Sequence, residues 1–421
     1  MSAIRTIIKI LIGFVGLTIT LYGLVLVAIP FLVEPDPIQT RVLPERSAEL
    51  LAEAVGWYEI EPGDCTLLTY AADGNLAFVS IEGDLFLHRF EALEPDRFVW
   101  SPGQEERGRD VKLLRGEESE VTALGWMDEN NESWLAPRCT GPYEPRDASF
   151  TNGDVELSGT LFVPTGPGPH PAAVMIHGSG TSDRDNLWYL QIAHHLASRE
   201  IAVLLPDKRG SGLSTGEWRL AGFEDFVADT EAGVEFVRSQ PEIDPERVGL
   251  IGVSQGGSWI APMAAADRTD LLFVASLSGA TVTPNQQLAH ESVQTLVQMG
   301  IPKPAAIALQ PIASAVPKQR RDVWWEKNGD VDPIPYWERV EAPVLVLYGS
   351  EDERDNVPVQ TSVDRLKDMQ AHSDSEITVQ VFDGVGHGFR EPGSKQIRPD
   401  VLELLGDWIE RNSQARPSPG L

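Results

Sequence analysis

The chain has 421 residues and is strongly acidic, with 63 aspartates and glutamates against 34 lysines and arginines and a formal net charge of −29 at pH 7. Such a charge disfavours nucleic acid and anionic membrane surfaces as partners, because both repel an acidic surface. The sequence contains no H-E-x-x-H motif and no clustered histidine and cysteine spacing, so we expect neither a metal nor another cofactor.

The N-terminal segment is apolar. Residues 10–33 carry no charged side chain. A segment of this length can cross a hydrocarbon core of about 30 Å. Arg5 and Lys9 precede this segment and Glu34 follows it, a flank that favours a cytoplasmic N-terminus. We expect residues 1–34 to form a cytoplasmic tip and an uncleaved single-pass signal anchor, with the remainder outside the cytoplasm. A cleaved signal peptide is the alternative, although its apolar core would be shorter, at about 7–15 residues.

The region 46–138 alternates short β-prone runs with turn signals. The predicted strands are residues 66–70, 76–81, 85–90, 97–100, 110–115 and 121–126. This spacing predicts a small meander of antiparallel strands. We interpret its tryptophans as core residues rather than as a sugar-binding platform; they are Trp57, Trp100, Trp126 and Trp134.

Cys65 and Cys139 are the only cysteines of the chain and flank the predicted meander. If the meander closes into a barrel, its first and last strands are neighbours, so the two cysteines could meet. An oxidising compartment would permit a disulfide between them, while two unpaired buried thiols are the alternative. Residues 139–148 are expected to form a linker.

Between residues 149 and 412, short apolar runs alternate with helical patterns. The predicted strands are residues 172–176, 202–205, 247–251, 272–277, 344–348 and 377–382. Because these runs are apolar on both faces, they predict an α/β fold with a doubly wound, mostly parallel sheet that helices cover. Chemistry is then expected at the carboxyl ends of the strands.

Two further segments of this region stand out. Residues 283–339 interrupt the pattern and predict a helical cap, in which Trp324, Trp325 and Trp337 either line an acyl pocket or pack the cap. Residues 413–421 are expected to form a disordered tail.

Ser254 lies in the sequence Gly-Val-Ser-Gln-Gly-Gly, between the predicted strand 247–251 and a helical segment at residues 259–266. A G-x-S-x-G serine between a strand and a helix predicts a nucleophile elbow, a sharp turn that exposes the hydroxyl at the helix N-terminus. Backbone N–H groups and the helix dipole favour a developing anion at that position.

Three motifs in order resemble the α/β-hydrolase fold over residues 149–412: H-G-S-G-x-x-D-R-D from His177, D-K-R-G-x-G-x-S from Asp207, and G-V-S-Q-G-G around Ser254. They are similar to a branch that contains bacterial carboxylesterases of the EstD type, near the prolyl-oligopeptidase and dienelactone-hydrolase groups. The meander is similar to small lipocalin-like modules that precede some bacterial serine hydrolases. The resemblance implies a serine hydrolase without implying its substrate.

A serine nucleophile needs a base and an acid that orients the base, and in this fold the chain order is serine, acid, histidine. His387 is the candidate base, because it follows a predicted strand between two glycines. Asp352 is the candidate acid, by its spacing from the glycine that closes the preceding strand. Asp355 and Glu351 are alternatives, since the loop is about two residues longer than the resemblance implies.

The oxyanion hole is expected to use the backbone N–H groups of Ser179 and Gln255. We interpret His177 as structural. Asp183, Arg184, Asp185, Asp207 and Arg209 are interpreted as ion pairs that brace the loops around the site.

These features predict a serine esterase that acts on short- to medium-chain carboxylic esters as small-molecule substrates. A serine peptidase of the prolyl-oligopeptidase or aminopeptidase kind is the first alternative. A non-catalytic envelope binding or scaffold protein is the second, although the complete set of candidate residues argues against it. The sequence does not determine the oligomeric state.

Overall fold

A computed structural model provides the three-dimensional structure of the protein. It describes residues 24–26, 28–30, 32–38, 43, 52–61, 63–80, 86–94, 97–101, 109–127, 133–373 and 375–415. Most of the described residues belong to a β-barrel and to a larger sheet with helices on both faces.

Eight antiparallel strands close into the barrel. They are β1 (Gly56–Glu61), β2 (Asp64–Tyr70), β3 (Leu76–Ser80), β4 (Phe86–Glu94), β5 (Arg97–Ser101), β6 (Arg109–Arg115), β7 (Val121–Met127) and β8 (Ser133–Cys139). Each strand pairs with the next, and β8 pairs back with β1. Buried side chains such as Tyr58, Leu68 and Phe78 fill the interior, as expected for a barrel of this size. The region predicted as a meander is thus a closed barrel.

Strands β1 and β8 were not predicted from the sequence. Strand β8 contains Pro137, which lacks the N–H group that a strand ladder needs. The pairing of β8 with β1 covers only Arg138 and Cys139, so it ends just before the proline. The expectation that Trp57 is a core residue is confirmed, whereas for Trp134 it is wrong, because this residue is 46% exposed. The side chains of the other two tryptophans, at positions 100 and 126, lie outside the described part of the structure.

A disulfide joins Cys65 to Cys139, with 6.4 Å between the Cα atoms. The predicted bond is therefore confirmed, but its route differs from the expectation. The two cysteines lie on β2 and β8, and β1 runs between these strands, with Glu59 opposite Cys65 and Trp57 opposite Cys139. The bond crosses over the first strand of the barrel.

The second sheet has eight strands. They are β9 (Tyr143–Asn152), β10 (Val155–Pro164), β11 (His170–Ile176), β12 (Ala202–Pro206), β13 (Ile243–Val253), β14 (Val274–Leu277), β15 (Val344–Gly349) and β16 (Ile377–Phe382). Their spatial order is β16-β15-β14-β13-β11-β12-β10-β9. Strands β11 to β16 are parallel, and β10 is antiparallel to both of its neighbours. The predicted α/β fold with a mostly parallel sheet is present.

The sheet begins earlier than the sequence analysis placed it. Strand β9 starts at Tyr143, so most of the expected linker 139–148 is strand, and the catalytic domain does not begin at residue 149. Its sequence does not read as a buried strand because exposed and buried side chains alternate along it and Pro145 interrupts it. Strand β9 lies at the edge of the sheet, where a proline is tolerated.

Nine α-helices surround this sheet within the described residues. They are α1 (Leu187–Ala197), α2 (Phe223–Arg238), α3 (Ala261–Ala265), α4 (Pro284–Gln298), α5 (Lys303–Arg320), α6 (Asp322–Asn328), α7 (Ile334–Trp337), α8 (Val359–Gln370) and α9 (Pro399–Ala415). Buried residues of α1 and α9 pack on one face of the sheet, and those of α2, α3 and α8 pack on the other. Helices α4 to α7 occupy the segment 283–339 that was predicted as a cap. Helix α9 extends into the predicted tail, whose residues 416–421 lie outside the described part.

The barrel packs directly on the second sheet. The indole N–H of Trp57 donates to the carbonyl oxygen of Tyr143 at 2.6 Å, and their rings lie 5.1 Å apart. The N–H of Ala72 donates to the Asp185 carboxylate at 3.0 Å. One buried apolar cluster contains residues of both units, so the barrel shares part of its core with the sheet.

Most of the predicted membrane segment 10–33 lies outside the described residues. In the described part of the chain, no helix combines the length and the apolar character that a bilayer crossing requires. The backbone N–H of Asp36 donates to the carbonyl oxygen of Arg320 at 2.8 Å, so the stretch 32–38 contacts the end of α5.

Candidate active site

Ser254 lies on a sharp turn at the carboxyl end of β13. Its φ angle is +52°, a left-handed conformation that a residue with a side chain rarely adopts. The Ser254 N–H donates to Leu277 O at 2.8 Å, which ties the turn to β14. A Cβ atom on Gly252 would lie 2.5 Å from the backbone of Gly256, and one on Gly256 would lie 2.3 Å from Ile176 O. The glycines are therefore needed for the close approach of strand and helix, as in a nucleophile elbow.

Three of the predicted site residues form one hydrogen-bonded chain. The Nε2 atom of His387 lies 3.0 Å from Ser254 Oγ, and its Nδ1 atom lies 2.7 Å from Asp352 Oδ2. An ionised carboxylate can only accept, so His387 carries its proton on Nδ1 and donates it to Asp352. Nε2 is then free of a proton and faces the serine hydroxyl, the arrangement in which histidine acts as a general base.

The buried position of Asp352 separates it from its neighbours in the acidic loop. Asp352 is fully buried, and its second oxygen accepts the N–H of Val357 at 3.3 Å. Asp355 is exposed, and Glu351 pairs with Arg354 at 2.8 Å. The structure brings Asp352 to His387 and leaves both alternative acids aside.

The other two histidines that follow Ser254 in the chain are engaged elsewhere. The Nε2 atom of His290 is 2.9 Å from Glu353 O, and the Nδ1 atom of His372 is 2.7 Å from Asp368 O. Neither is a partner of Ser254.

Ser179 and Gln255, the predicted oxyanion-hole residues, line one cavity together with Ser254. Between Ser179 and the end of β11 lies Gly178, whose N–H donates to the Tyr189 hydroxyl at 2.7 Å. A Cβ atom on Gly178 would lie 3.2 Å from the Cβ of Ser254. Because the N–H of Gly178 is already used, the next N–H along the loop, that of Ser179, stays the candidate for the oxyanion hole.

Lys208 connects the two loops that carry Ser179 and Gln255. Its buried ammonium donates to the carbonyl oxygen of Gly178 at 2.7 Å and to the side-chain oxygen of Gln255 at 3.3 Å. Burial lowers the pKa of Lys208 to about 7; the positive charge of Arg321 adds to this, and Asp229 opposes it. A role for Lys208 was not predicted from the sequence. Its only signal was a lysine directly after an apolar strand, inside the motif that begins at Asp207.

His177 has a structural role, as the sequence analysis proposed. It is buried, its Nε2–H donates to the carbonyl oxygen of Pro206, and its Nδ1 atom is 2.9 Å from the Ser182 hydroxyl. Burial lowers the pKa of His177 to about 4. The imidazole is therefore neutral at pH 7 and joins the loop after β11 to the end of β12.

Buried ion pairs hold the same loops. Arg184 and Asp207 are both buried and lie 2.9 Å apart, and Arg209 pairs with Asp229 at 2.6 Å. The Asp207 carboxylate also accepts a hydrogen bond from the N–H of Leu213 at 2.8 Å, so it stabilises its own loop as well. These residues act as braces, in agreement with the sequence analysis, because charges buried in this way are satisfied by each other.

The cavity beside Ser254 has a volume of about 650 Å³. Its wall includes Trp218 and, from the cap helix α6, Trp324 and Trp325, whereas Trp337 is fully buried in the core. Two of the three cap tryptophans therefore line the cavity, and the third packs in the core. Within the described residues, no group of three or more histidine, cysteine, aspartate or glutamate side chains could hold a metal ion.

The sheet order, the turn at Ser254 and the hydrogen-bonded chain to Asp352 define a serine hydrolase of the α/β-hydrolase fold. A sequence profile of the prolyl oligopeptidase family matches residues 187–416, more than half of the chain. The protein therefore belongs to the prolyl oligopeptidase family.

Individual curated relatives match parts of the chain. The chain is 33% identical to the quorum-quenching protein AidA of Acinetobacter baumannii over 161 aligned residues. This alignment covers 38% of this chain and 52% of that protein. The chain is 22% identical to esterase EstD of Thermotoga maritima over 302 aligned residues, and this alignment covers 65% of this chain and 70% of that protein. The chain spans about half the length of the first curated relatives that it matches.

Among solved structures, the acylaminoacyl peptidase of Pyrococcus horikoshii superposes with a TM-score of 0.51 at 20% identity, over 84% of this chain and 57% of that chain. At this level of identity, the superposition concerns the fold alone. The expected resemblance to the EstD branch is confirmed.

Proposed function

We propose that the protein is a serine esterase that hydrolyses short- to medium-chain carboxylic esters through an acyl-enzyme. The observation that carries the proposal is the chain Ser254–His387–Asp352, with distances of 3.0 and 2.7 Å, at the wall of a cavity of about 650 Å³. A cavity of this size suits a small ligand, and its tryptophans offer apolar surface to an acyl group.

In this mechanism, Ser254 Oγ attacks the ester carbonyl while His387 Nε2 takes its proton. The N–H groups of Ser179 and Gln255 stabilise the oxyanion of the tetrahedral intermediate. His387 then returns the proton to the leaving alcohol, and Asp352 stabilises the imidazolium that forms in between. A water molecule, activated by the same imidazole, attacks the acyl-enzyme and restores the serine.

A peptidase is the second candidate, because the family that the chain belongs to is named for oligopeptide cleavage. Amide hydrolysis requires a proton delivered to a poor leaving amine and contacts that hold the peptide on both sides of the bond. For the hydrolysis of an ester, the hydrogen-bonded chain Ser254–His387–Asp352 and the cavity beside Ser254 are sufficient. We therefore propose that esters are the better substrates.

The test compares p-nitrophenyl butyrate with the p-nitroanilides of proline and alanine. We expect kcat/KM for the ester to be at least about two orders of magnitude higher, which corresponds to about 3 kcal/mol in the barrier. Labelling by a fluorophosphonate serves as an independent check of the nucleophile. Equal or faster amide cleavage would identify a peptidase, and labelling without turnover of either substrate would overturn both candidates.

We also propose that residues 10–33 anchor the protein in a membrane, with the catalytic domain outside the cytoplasm. The charge-free length of this segment and its basic flank support the anchor. The disulfide Cys65–Cys139 favours an oxidising compartment. The full-length protein should sediment with membranes and resist alkaline carbonate extraction. Recovery in soluble form with a new N-terminus near residue 30 would instead show cleavage.

A further inference from the structure

Two arginines of the cap line the same cavity as Ser254. Arg320 ends helix α5, and Arg321 follows it directly. Within the part of the chain that the structure describes, neither guanidinium forms an ion pair, although carboxylates are in large excess over the whole sequence. Arg219, which follows the cavity residue Trp218 in the chain, does have a carboxylate partner in Glu217.

Arg321 is held in place by an aromatic ring. Its guanidinium carbon lies 5.1 Å from the centre of the Trp218 ring, and Trp218 is buried and also lines the cavity. A cation at this distance from an indole is attracted by the ring electrons. A cation at the end of a helix is favoured by the helix dipole, which accounts for Arg320. The dipole does not account for the position of Arg321 against Trp218, which belongs to a different segment of the chain.

Arg321, the cap residue Glu291 and Ser254 line the same cavity. Desolvation and the neighbouring Asp355 raise the pKa of the cap residue Glu291, whereas His387 and Arg321 both oppose this rise. Of the described residues on the cavity wall, Glu291 and Asp36 are the carboxylates, and the backbone of Asp36 contacts that of Arg320. Both carboxylates would repel an anion, whereas the arginines would attract it, and Arg321 is the arginine without such a neighbour in the chain segment 32–38.

We propose that Arg321, with Arg320 beside it, binds an anionic group of the substrate, so that the preferred esters carry a carboxylate or a comparable anion. This inference rests on the proposed esterase function of Ser254. A guanidinium offers two parallel N–H donors to a carboxylate, which gives direction as well as attraction. The preferred substrates thereby differ from simple alkyl esters in charge while sharing the same reacting bond.

Two matched pairs of esters test the proposal. In the first pair, 4-nitrophenyl valerate is compared with 4-nitrophenyl hydrogen glutarate, which adds a carboxylate to an acyl chain of equal length. In the second, phenyl butyrate is compared with 4-butyryloxybenzoate, which places the carboxylate on the alcohol part. The Ser254→Ala variant supplies the background rate for each ester, which matters because a carboxylate can attack its own ester bond.

We expect kcat/KM to favour the anionic member of at least one pair by tenfold or more at low salt. Arg321→Gln should bring this ratio close to one, and added salt should reduce the ratio in the wild type. Lys303→Gln is the matched control, because it removes one positive charge from the start of helix α5, whose end Arg321 follows, and Lys303 does not line the cavity. A ratio near one for both pairs, or a ratio that Arg321→Gln and Lys303→Gln leave equally unchanged, would overturn the proposal.

A binding measurement separates this proposal from the proposed function. Free glutarate should quench the tryptophan fluorescence of the wild type and do so much more weakly in Arg321→Gln, with valerate as the less charged comparison. If no ester is hydrolysed but glutarate binds in this Arg321-dependent way, the anion site stands and the esterase function fails. If esters are hydrolysed without any dependence on Arg321, the esterase function stands and the anion site fails.

Discussion

The ammonium group of Lys208 lies 2.7 Å from the carbonyl oxygen of Gly178, and the same group reaches Gln255 on the neighbouring loop at 3.3 Å. Lys208 thereby sets the spacing between the two backbone segments that offer N–H groups to an oxyanion. Lys208 is buried and is not among the described residues that line the cavity beside Ser254, so we regard it as a positioning residue.

Lys208→Met should lower kcat by about tenfold to a hundredfold with a smaller change in KM. The reason is that the oxyanion donors lose their spacing, and complete loss of one donor costs about 10²–10³ in kcat. Lys208→Arg should recover part of the activity. Lys327→Met is the matched control, because Lys327 also donates to a backbone carbonyl, that of Leu220, but away from Ser254. A wild-type kcat in Lys208→Met would contradict the role.

The pH dependence of stability provides a second measurement on Lys208. Its pKa is about 7 in the folded protein against 10.5 for an exposed lysine, so the unfolded chain binds an additional proton between these values. The free energy of unfolding should therefore rise with pH from about 7 to about 10.5, and this part of the rise should be absent in Lys208→Met. Urea unfolding across this range measures the difference, and equal slopes for the two proteins would argue against a buried, titrating lysine.

Ser254→Ala should abolish ester turnover and fluorophosphonate labelling. The variant removes the hydroxyl that lies 3.0 Å from His387 Nε2 and leaves the backbone hydrogen bonds of the turn in place. Circular dichroism and the thermal midpoint should stay close to the wild type. Labelling that persists in the variant would place the nucleophile on another residue.

Asp352→Asn should lower kcat by about three to four orders of magnitude. An amide at this position favours the wrong tautomer of His387, which then presents a proton rather than a lone pair to Ser254. Asp355→Asn removes an equal charge from the same loop and should change kcat by less than about threefold, since Asp355 is exposed. Steady-state kinetics on one ester compares the two variants, and the reverse ranking would assign the role to Asp355.

His177 should make the protein sensitive to mild acid. Its pKa is about 4 in the folded state against 6.5 when exposed, so the stability that comes from its neutral form is complete above pH 6.5 and is lost as the pH falls towards 4. The full loss corresponds to about 3 kcal/mol. Relative to the wild type, His177→Gln should show a flatter fall of the free energy of unfolding over this range. Parallel curves for the two proteins would show that His177 does not titrate there.

Removal of the disulfide should destabilise the barrel. The bond closes a loop with a sequence separation of 74, for which the chain-entropy model gives about 4 kcal/mol. Cys65→Ala with Cys139→Ala should lower the thermal midpoint, and reduction of the wild type should lower it similarly. Two free thiols in the denatured, unreduced wild type would show that the bond is absent.

Several features followed from local sequence alone. The turn at Ser254 was predictable because its glycines, Gly252 and Gly256, lie within two residues of the serine and pack against each other. The parallel strands were predictable because a strand buried on both faces needs an unbroken apolar run, as at Leu250 and Val346. His387 was a candidate because a loop after a strand, flanked by glycines, places a side chain at the sheet edge.

Other features depended on contacts between distant parts of the chain. Asp352 and Asp355 are nearly equivalent as sequence, and only the fold buries the first against His387, 35 residues further along the chain. The edge strand β9, with its proline, is stabilised by ten paired positions on β10 rather than by an apolar pattern of its own. Lys208 and Arg321 read as ordinary surface cations in the sequence. Their positions became visible only when folding placed one beneath the Gly178 loop and the other against Trp218, because burial and electrostatic fields depend on distance in space rather than along the chain.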